Sequence, residues 1–223
     1  VSLDTNNHLT LFIKELKTEL TIDKDFRPIA FSKTGKVEKT GIVFVGYGIV
    51  APKTAEFSEY NSYRLDLNSK NSDAPNEKDV KDKWLVMFNG MPENISNEHR
   101  QHLVMYSGLR YKAMVARDRG ARGIIFVRGP NSKVKNQLIK LESDVSISGS
   151  GISAISITDE VCNTILDGKL SDVQTKLDRG DFIAPFNVNG IAISAVISLK
   201  KITSSGKNVI AYLKTGKKRA KSV

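Results

Sequence analysis

The chain has 223 residues, 40% hydrophobic and 26% charged, which suits one medium domain with peripheral arms and a core that needs no disulfide; the single cysteine, Cys162, excludes an internal one. No run approaches the roughly 20 apolar residues that cross a bilayer, so no membrane span is expected. The formal charge is +10, but Lys214, Lys217, Lys218, Arg219 and Lys221 supply five of those units in the last ten residues, and the body has no basic stripe with interleaved aromatics, which argues against nucleic acid as a partner.

The chain opens on Val1 with no basic stretch before an apolar one, so the expectation is a removed leader or an internal fragment. Leu9, Leu11, Phe12, Ile13, Leu16 and Leu20 mix helical and strand spacing and leave both open. Pro28 restricts Arg27 to extended backbone, and Ser32 to Gly35 signals a turn. The β-branched run from Thr40 to Val50 reads as a buried strand ending at Gly46 and Gly48, and Pro52 stops it. Residues 53–80 are a polar excursion that Phe57, Tyr60, Tyr63 and Leu65 pin to the body. Lys83 to Phe88 is the next strand, a helix is predicted over 102–119 and stopped by Gly120, and Gly123 to Val127 is a strand again. Strand, helix, strand in that order predicts a parallel crossover unit. A polar loop fills 131–150. Ile152, Ile155 and Ile157 lead to Thr158, an N-cap with Asp159 and Glu160 in the first turn; Cys162 reads as one apolar residue of that helix. Ser171 to Gln174 has the form of a capping box, the run from Ile191 to Leu199 alternates as a half-buried strand, and Asn208 to Leu213 is another.

Three chemistries have candidate residues on this framework. Gly46-Tyr-Gly-Ile-Val-Ala51 matches G-x-G-x-x-A after a strand, with Asp66 at the acid spacing of a dinucleotide fingerprint. That motif needs a helix to start at the glycines, and Pro52 with a polar stretch follows instead, so strand bending is the better reading of these glycines. His99 and His102 are one helical turn apart beside Glu98, but no third ligand is in register and they read as solvated surface residues; no metal site is expected. Ser148-Gly-Ser-Gly falls short of a nucleophile elbow, and no catalytic residue is assigned. Residues alone therefore give a mixed α/β domain that binds or accompanies.

Four segments taken together carry a resemblance: Gly41 to Ile49, Asp82 to Met87, Tyr111 to Val127 and Ile155 to Thr158. In order and spacing they resemble the protease-associated (PA) domain, most specifically where Ala113, Ala116, Gly120 and Ala121 pack a helix on the next strand. The chain is most similar to the PA insert of bacterial-type zinc aminopeptidases. The resemblance covers about 40–200 well. It implies an α+β fold, a partly closed β-barrel with flanking helices, and three parts: an arm of the peptidase domain at 1–36, the PA domain at 37–205, and at 206–223 a segment leading into the absent zinc peptidase domain. What is implied is a non-catalytic part of a secreted, periplasmic or cell-surface zinc aminopeptidase, serving substrate access or selection and protein contact. The fragment itself is then no enzyme and has no cofactor; zinc belongs to the parent's catalytic domain, since the chain stops at Val223 before the family's first zinc-ligand motif. The implied partners are its own peptidase domain and a peptide or protein substrate. Loops at 53–80, 91–101 and 131–150 are the expected contact surfaces, with Tyr47, Tyr60 and Tyr63 as candidate binding residues. A stand-alone cargo-type PA module and a dinucleotide-binding domain are the alternatives.

Overall fold

A computed structural model describes residues 2–64, 80–134, 137–142 and 149–200. The mixed spacing near the N-terminus resolves into a hairpin, β2 (His8–Ile13) and β3 (Leu16–Leu20), joined through Lys14 at φ 54°. A short β1 (Ser2–Leu3) precedes it, and β4 (Phe26–Pro28) follows as the extended segment expected around Pro28. The next strand, β5 (Gly35–Phe44), starts five residues earlier than its β-branched run and ends before the two glycines. After it come the two-residue strands β6 (Val50–Ala51) and β7 (Tyr60–Asn61), paired with each other, and then β8 (Trp84–Phe88).

The single helix predicted over 102–119 is two helices. Ser96 caps α1 (Asn97–Val104) by accepting the His99 N–H, and Gly108 opens α2 (Leu109–Asp118) in extended backbone. The apolar spacing of Leu109, Ala113 and Ala116 lies wholly in the second, and α1 buries only Leu103. At its end Gly120 takes φ 79°, with Gly120 N–H on Arg117 and Ala121 N–H on Ala116, a Schellman stop that any other residue would strain. Beyond lie β9 (Gly123–Val127), β10 (Ser153–Ile157), α3 (Asp159–Ile165) capped by Thr158, α4 (Leu170–Asp178), β11 (Phe186–Ile197) and β12 (Leu199–Lys200). The capping box at Ser171 is not used: α4 starts one residue earlier, Lys169 caps it without a side-chain bond, and Gln174 is drawn inward by another loop. The last strand predicted, Asn208 to Leu213, lies outside the described residues.

Eight strands form one curled, half-barrel sheet in the order β3-β2-β11-β5-β8-β9-β10-β4, with the helices beside it. The fold is α+β, a partly closed barrel. The crossover unit is present: β5, β8, β9 and β10 are mutually parallel neighbours, while β2, β3 and β11 form the antiparallel half. Residues 8–28 of the N-terminal stretch thus sit in the same sheet as the central strands. Strands β8, β9 and β10 are buried along their whole length, so their side chains feed two apolar clusters, one on each face. Trp84, Phe44 and Phe88 fill one, and Leu85, Met87 and Phe126 the other.

Candidate functional site

Ligands of open sheets with parallel strands gather outside the carboxyl ends of those strands. At that end four connections meet: Gly46–Gly48 after β5, Asn89–Glu93 after β8, Gly129–Asn131 after β9, and Thr158 after β10. The first is a tight turn. Val45 N–H donates to Val86 O and Phe88 N–H to Gly46 O, with Gly46 and Gly48 at φ 57° and 65°. A Cβ on Gly48 would stand 2.5 Å from Met87 Sδ, so close backbone approach requires glycine there. No helix follows these glycines; β6 does, and the condition for a dinucleotide fingerprint is unmet.

The turn sends Tyr47 into the core. Its ring lies 5.3 Å from that of Phe88, and its hydroxyl donates to Asp178 Oδ1 at the last residue of α4. Asp178 is only 2% exposed, yet its carboxylate is shared: Glu93 N–H donates to Oδ1 at 3.1 Å and Asn131 Nδ2 to Oδ2 at 2.9 Å. One turn earlier on α4, Gln174 Oε1 accepts Asn131 N–H, and Asp159 Oδ1 accepts Gly129 N–H. Lys112, wholly buried, holds the connection after β8 from α2: its Nζ donates to Phe88 O at 3.0 Å and Gly90 O at 2.6 Å. Its ammonium is 5.9 Å from the centre of the Tyr47 ring. A buried amine and a buried carboxylate therefore both bond to the segment Phe88–Glu93.

The electrostatics follow from burial. Desolvation lowers Lys112 from 10.5 to about 7, so near neutral pH the amine sits between its charged and neutral forms. Desolvation raises the Tyr47 phenol well above its ordinary 10.0, and the Asp178 carboxylate adds to that. Because these groups are turned away from solvent and spent on loop backbone atoms and on neighbouring side chains, the cluster's chemical capacity is to fix loops. Sequence reading missed Lys112, Asp178 and Gln174. A signal for the first was present: Lys112 lies three residues after Leu109 and four before Ala116, on the apolar face of α2.

Of the three predicted tyrosines, Tyr47 and Tyr60 share one core cluster and Tyr63 belongs to the other. Tyr60, half-buried in β7, is raised by burial and by Asp178, and it lines a cavity of about 150 Å³ with Arg64 and Phe182. There the Arg64 guanidinium lies 4.4 Å over the Phe182 ring. Tyr63 is buried beneath Arg119, 4.5 Å above its ring, and its hydroxyl has no hydrogen-bond partner among the described residues. Ser62 between them ties the excursion down, its Oγ accepting Ile49 N–H. Of the predicted contact loops, residues 65–79, 135–136 and 143–148 lie outside the described residues, as do Leu65, Asp66 and Ser148.

His99 and His102 are not freely solvated. Both stack on Phe57, at 5.2 and 5.1 Å, and ring contacts continue from His102 to Tyr106, tilted, and from Tyr106 to Tyr111, edge-on. Among the described residues no group of three or more His, Cys, Asp or Glu side chains could hold a metal ion. Cys162 is buried, and desolvation raises its thiol, which keeps it unreactive.

No family model and no curated protein sequence matches the chain. Among solved structures it is similar to an aminopeptidase from Aneurinibacillus sp. strain AM-1, at 16% identity and a TM-score of 0.40. The match covers 88% of this chain and 31% of that one, so the chain spans about a third of that protein's length. A likeness at that level carries no argument about activity.

Proposed function

We propose that the chain is a non-catalytic domain of protease-associated type, part of a zinc aminopeptidase that acts outside the cytoplasm, and that it serves substrate access or selection and protein contact. The observation that carries the reading is the inward use of its ionisable side chains. Lys112 and Asp178, each able in another setting to act as base or nucleophile, are both buried and both bonded to the segment that leaves β8. Such an arrangement holds exposed loops in one geometry, which lowers the ordering cost when a peptide or a neighbouring domain binds. The PA-like segments named from the sequence lie on β5, β8, α2 with β9, and β10, which are the strands and helix that carry those loops. In this reading zinc and its ligands belong to the peptidase domain of the parent, and the partners are that domain and its peptide substrate.

Two measurements test it. The isolated chain is expected to release no product from aminoacyl-p-nitroanilides with added zinc; chelator-sensitive hydrolysis that survives purification overturns the reading. In the parent, loosening the loop clamp with Asp178→Ala is expected to raise KM for long peptides more than for aminoacyl-p-nitroanilides. An equal effect on both would mean the domain has no part in substrate selection.

A further inference from the structure

The opposite end of the sheet is built differently. Strand β5 is bonded to β11 from Gly35 to Phe44, but its other edge meets β8 only at Ile42, Val43 and Phe44. Gly35 to Lys39 therefore have no strand partner on that edge among the described residues, while Thr40 is tied to it by its Oγ1, which donates to Asp82 O at 2.7 Å. At about 3.3 Å per residue the free edge is roughly 17 Å long, enough for about five residues of an added strand. It opens on a groove of about 590 Å³, walled by β5 on one side and by Asp82, Ala121, Arg122, Gly151 and Ile152 on the other, the residues just before β8, β9 and β10. A cavity that follows a free strand edge is the geometry of strand addition, in which backbone bonds give affinity and lining side chains give selectivity.

The lining selects by charge. Four cations face two carboxylates there: Lys33, Lys36, Lys39 and Arg122 against Glu38 and Asp82. Arg122 pairs with Asp82 at 2.8 Å and Lys36 with Glu38 at 2.8 Å, both pairs exposed and therefore weak. Lys33 has no carboxylate partner among the described residues, and Lys39 lies over the Phe12 ring. A second copy of this chain is a poor occupant. It would bring the same lysines face to face, and the register between β5 and β11 slips at Glu38 and Lys39, a bulge of the kind that discourages edge-to-edge pairing.

We propose that this groove binds an extended acidic peptide, which adds as a strand to the Gly35–Lys39 edge of β5 with its carboxylates toward Lys33, Lys36 and Arg122. The site lies at the other end of the strands from the loop clamp and does not depend on the function proposed above. The test uses the full chain and a fluorescein-labelled peptide of alternating Glu and Val, about five residues long to match the edge. Saturable binding read by anisotropy is expected, weakening as salt rises. The Lys33→Glu/Lys36→Glu double variant should weaken it by about tenfold or more, whereas Lys140→Glu, outside the groove lining, should not. Methylating alternate peptide nitrogens, which removes ladder donors and keeps the charge, should also weaken it by about tenfold. The emission of the buried Trp84 reports whether each variant is folded. Absence of saturable binding overturns the proposal, as does binding that N-methylation leaves intact, since that marks a charged surface without strand addition.

Discussion

Replacing Lys112 by methionine tests whether the buried amine titrates as its surroundings require. The side chain is fully enclosed, and burial lowers it from 10.5 to about 7. An unfolded chain holds this proton up to the ordinary lysine value, so between about pH 7 and about pH 9 the unfolded state binds more protons than the folded one, and stability rises with pH. With those two values the gain over that window is about 2 kcal/mol, out of a limit of about 5 kcal/mol reached once both states are neutral. The carbonyls of Phe88 and Gly90 favour the cation, which makes these figures upper bounds. Lys112→Met removes the titration while keeping the volume of the stem. It leaves two carbonyls without a donor, a cost of about 1–3 kcal/mol that the relief of the desolvated amine offsets, so the slope with pH and not the level is the readout. Urea unfolding of wild type and variant, followed through the single tryptophan, Trp84, is expected to show the wild type gaining stability with pH in this window and the variant lacking that gain. Parallel pH profiles would refute the assignment of Lys112 as a buried, perturbed group.

Three further outcomes follow from the same geometry. Gly48→Ala places a Cβ 2.5 Å from Met87 Sδ at φ 65°, and should cost about 1–3 kcal/mol in urea unfolding, whereas Gly90→Ala, at φ 82° with nothing within 4 Å, should cost only the backbone share of that. Asp178→Ala removes the acceptor shared by Tyr47, Glu93 and Asn131, and is expected to lose about 3 kcal/mol and to speed hydrogen exchange at the Glu93 amide before other amides of the loop; unchanged exchange there would show that the clamp does not hold the loop. Of the six tyrosines, Tyr47, Tyr60, Tyr63 and Tyr111 are raised by burial, and for the three most deeply enclosed, Tyr47, Tyr60 and Tyr63, phenolate absorbance should appear only with unfolding. Since their folded values lie above the unfolded 10.0, stability should fall as pH rises through about 10; reversible titration of all six together near that value would contradict the burial.

The strands of the parallel half were legible because continuous apolar runs bounded by glycine leave little choice: Lys83 to Phe88 and Gly123 to Val127 are β8 and β9 almost to the residue. The Gly120 stop and the Thr158 cap were legible because each rests on a local backbone need. What failed was decided by distant partners. Gln174 looks like the second half of a capping box, but its side chain is held by Asn131 and Arg128, forty-odd residues away in sequence. The hairpin of β2 and β3 could not be told from a helix by spacing alone; pairing of β2 with β11, nearly the whole chain apart, settles it. The loop clamp was half legible. Lys112 falls on the apolar face of α2, but Asp178 at a helix end looks like a solvated charge until tertiary structure covers it.

Both ends of the sheet trace back to one register. Ile42 stands opposite Trp84, so β5 begins seven residues before its neighbour and ends, in step, two residues before β8 does. At the carboxyl end that shortfall leaves Phe88 N–H to be met by the Gly46 carbonyl, which requires the glycine turn and delivers Tyr47 beneath the loop that Lys112 and Asp178 hold. At the amino end the overhang has no neighbour to pair with, and its edge stays open above the lysines. A shift of β5 by two residues toward its amino end would keep the buried face, since side chains alternate with period two, but would lengthen the open edge and pull the Gly46 carbonyl out of reach of Phe88. The glycine turn is thus what fixes the length of the free edge.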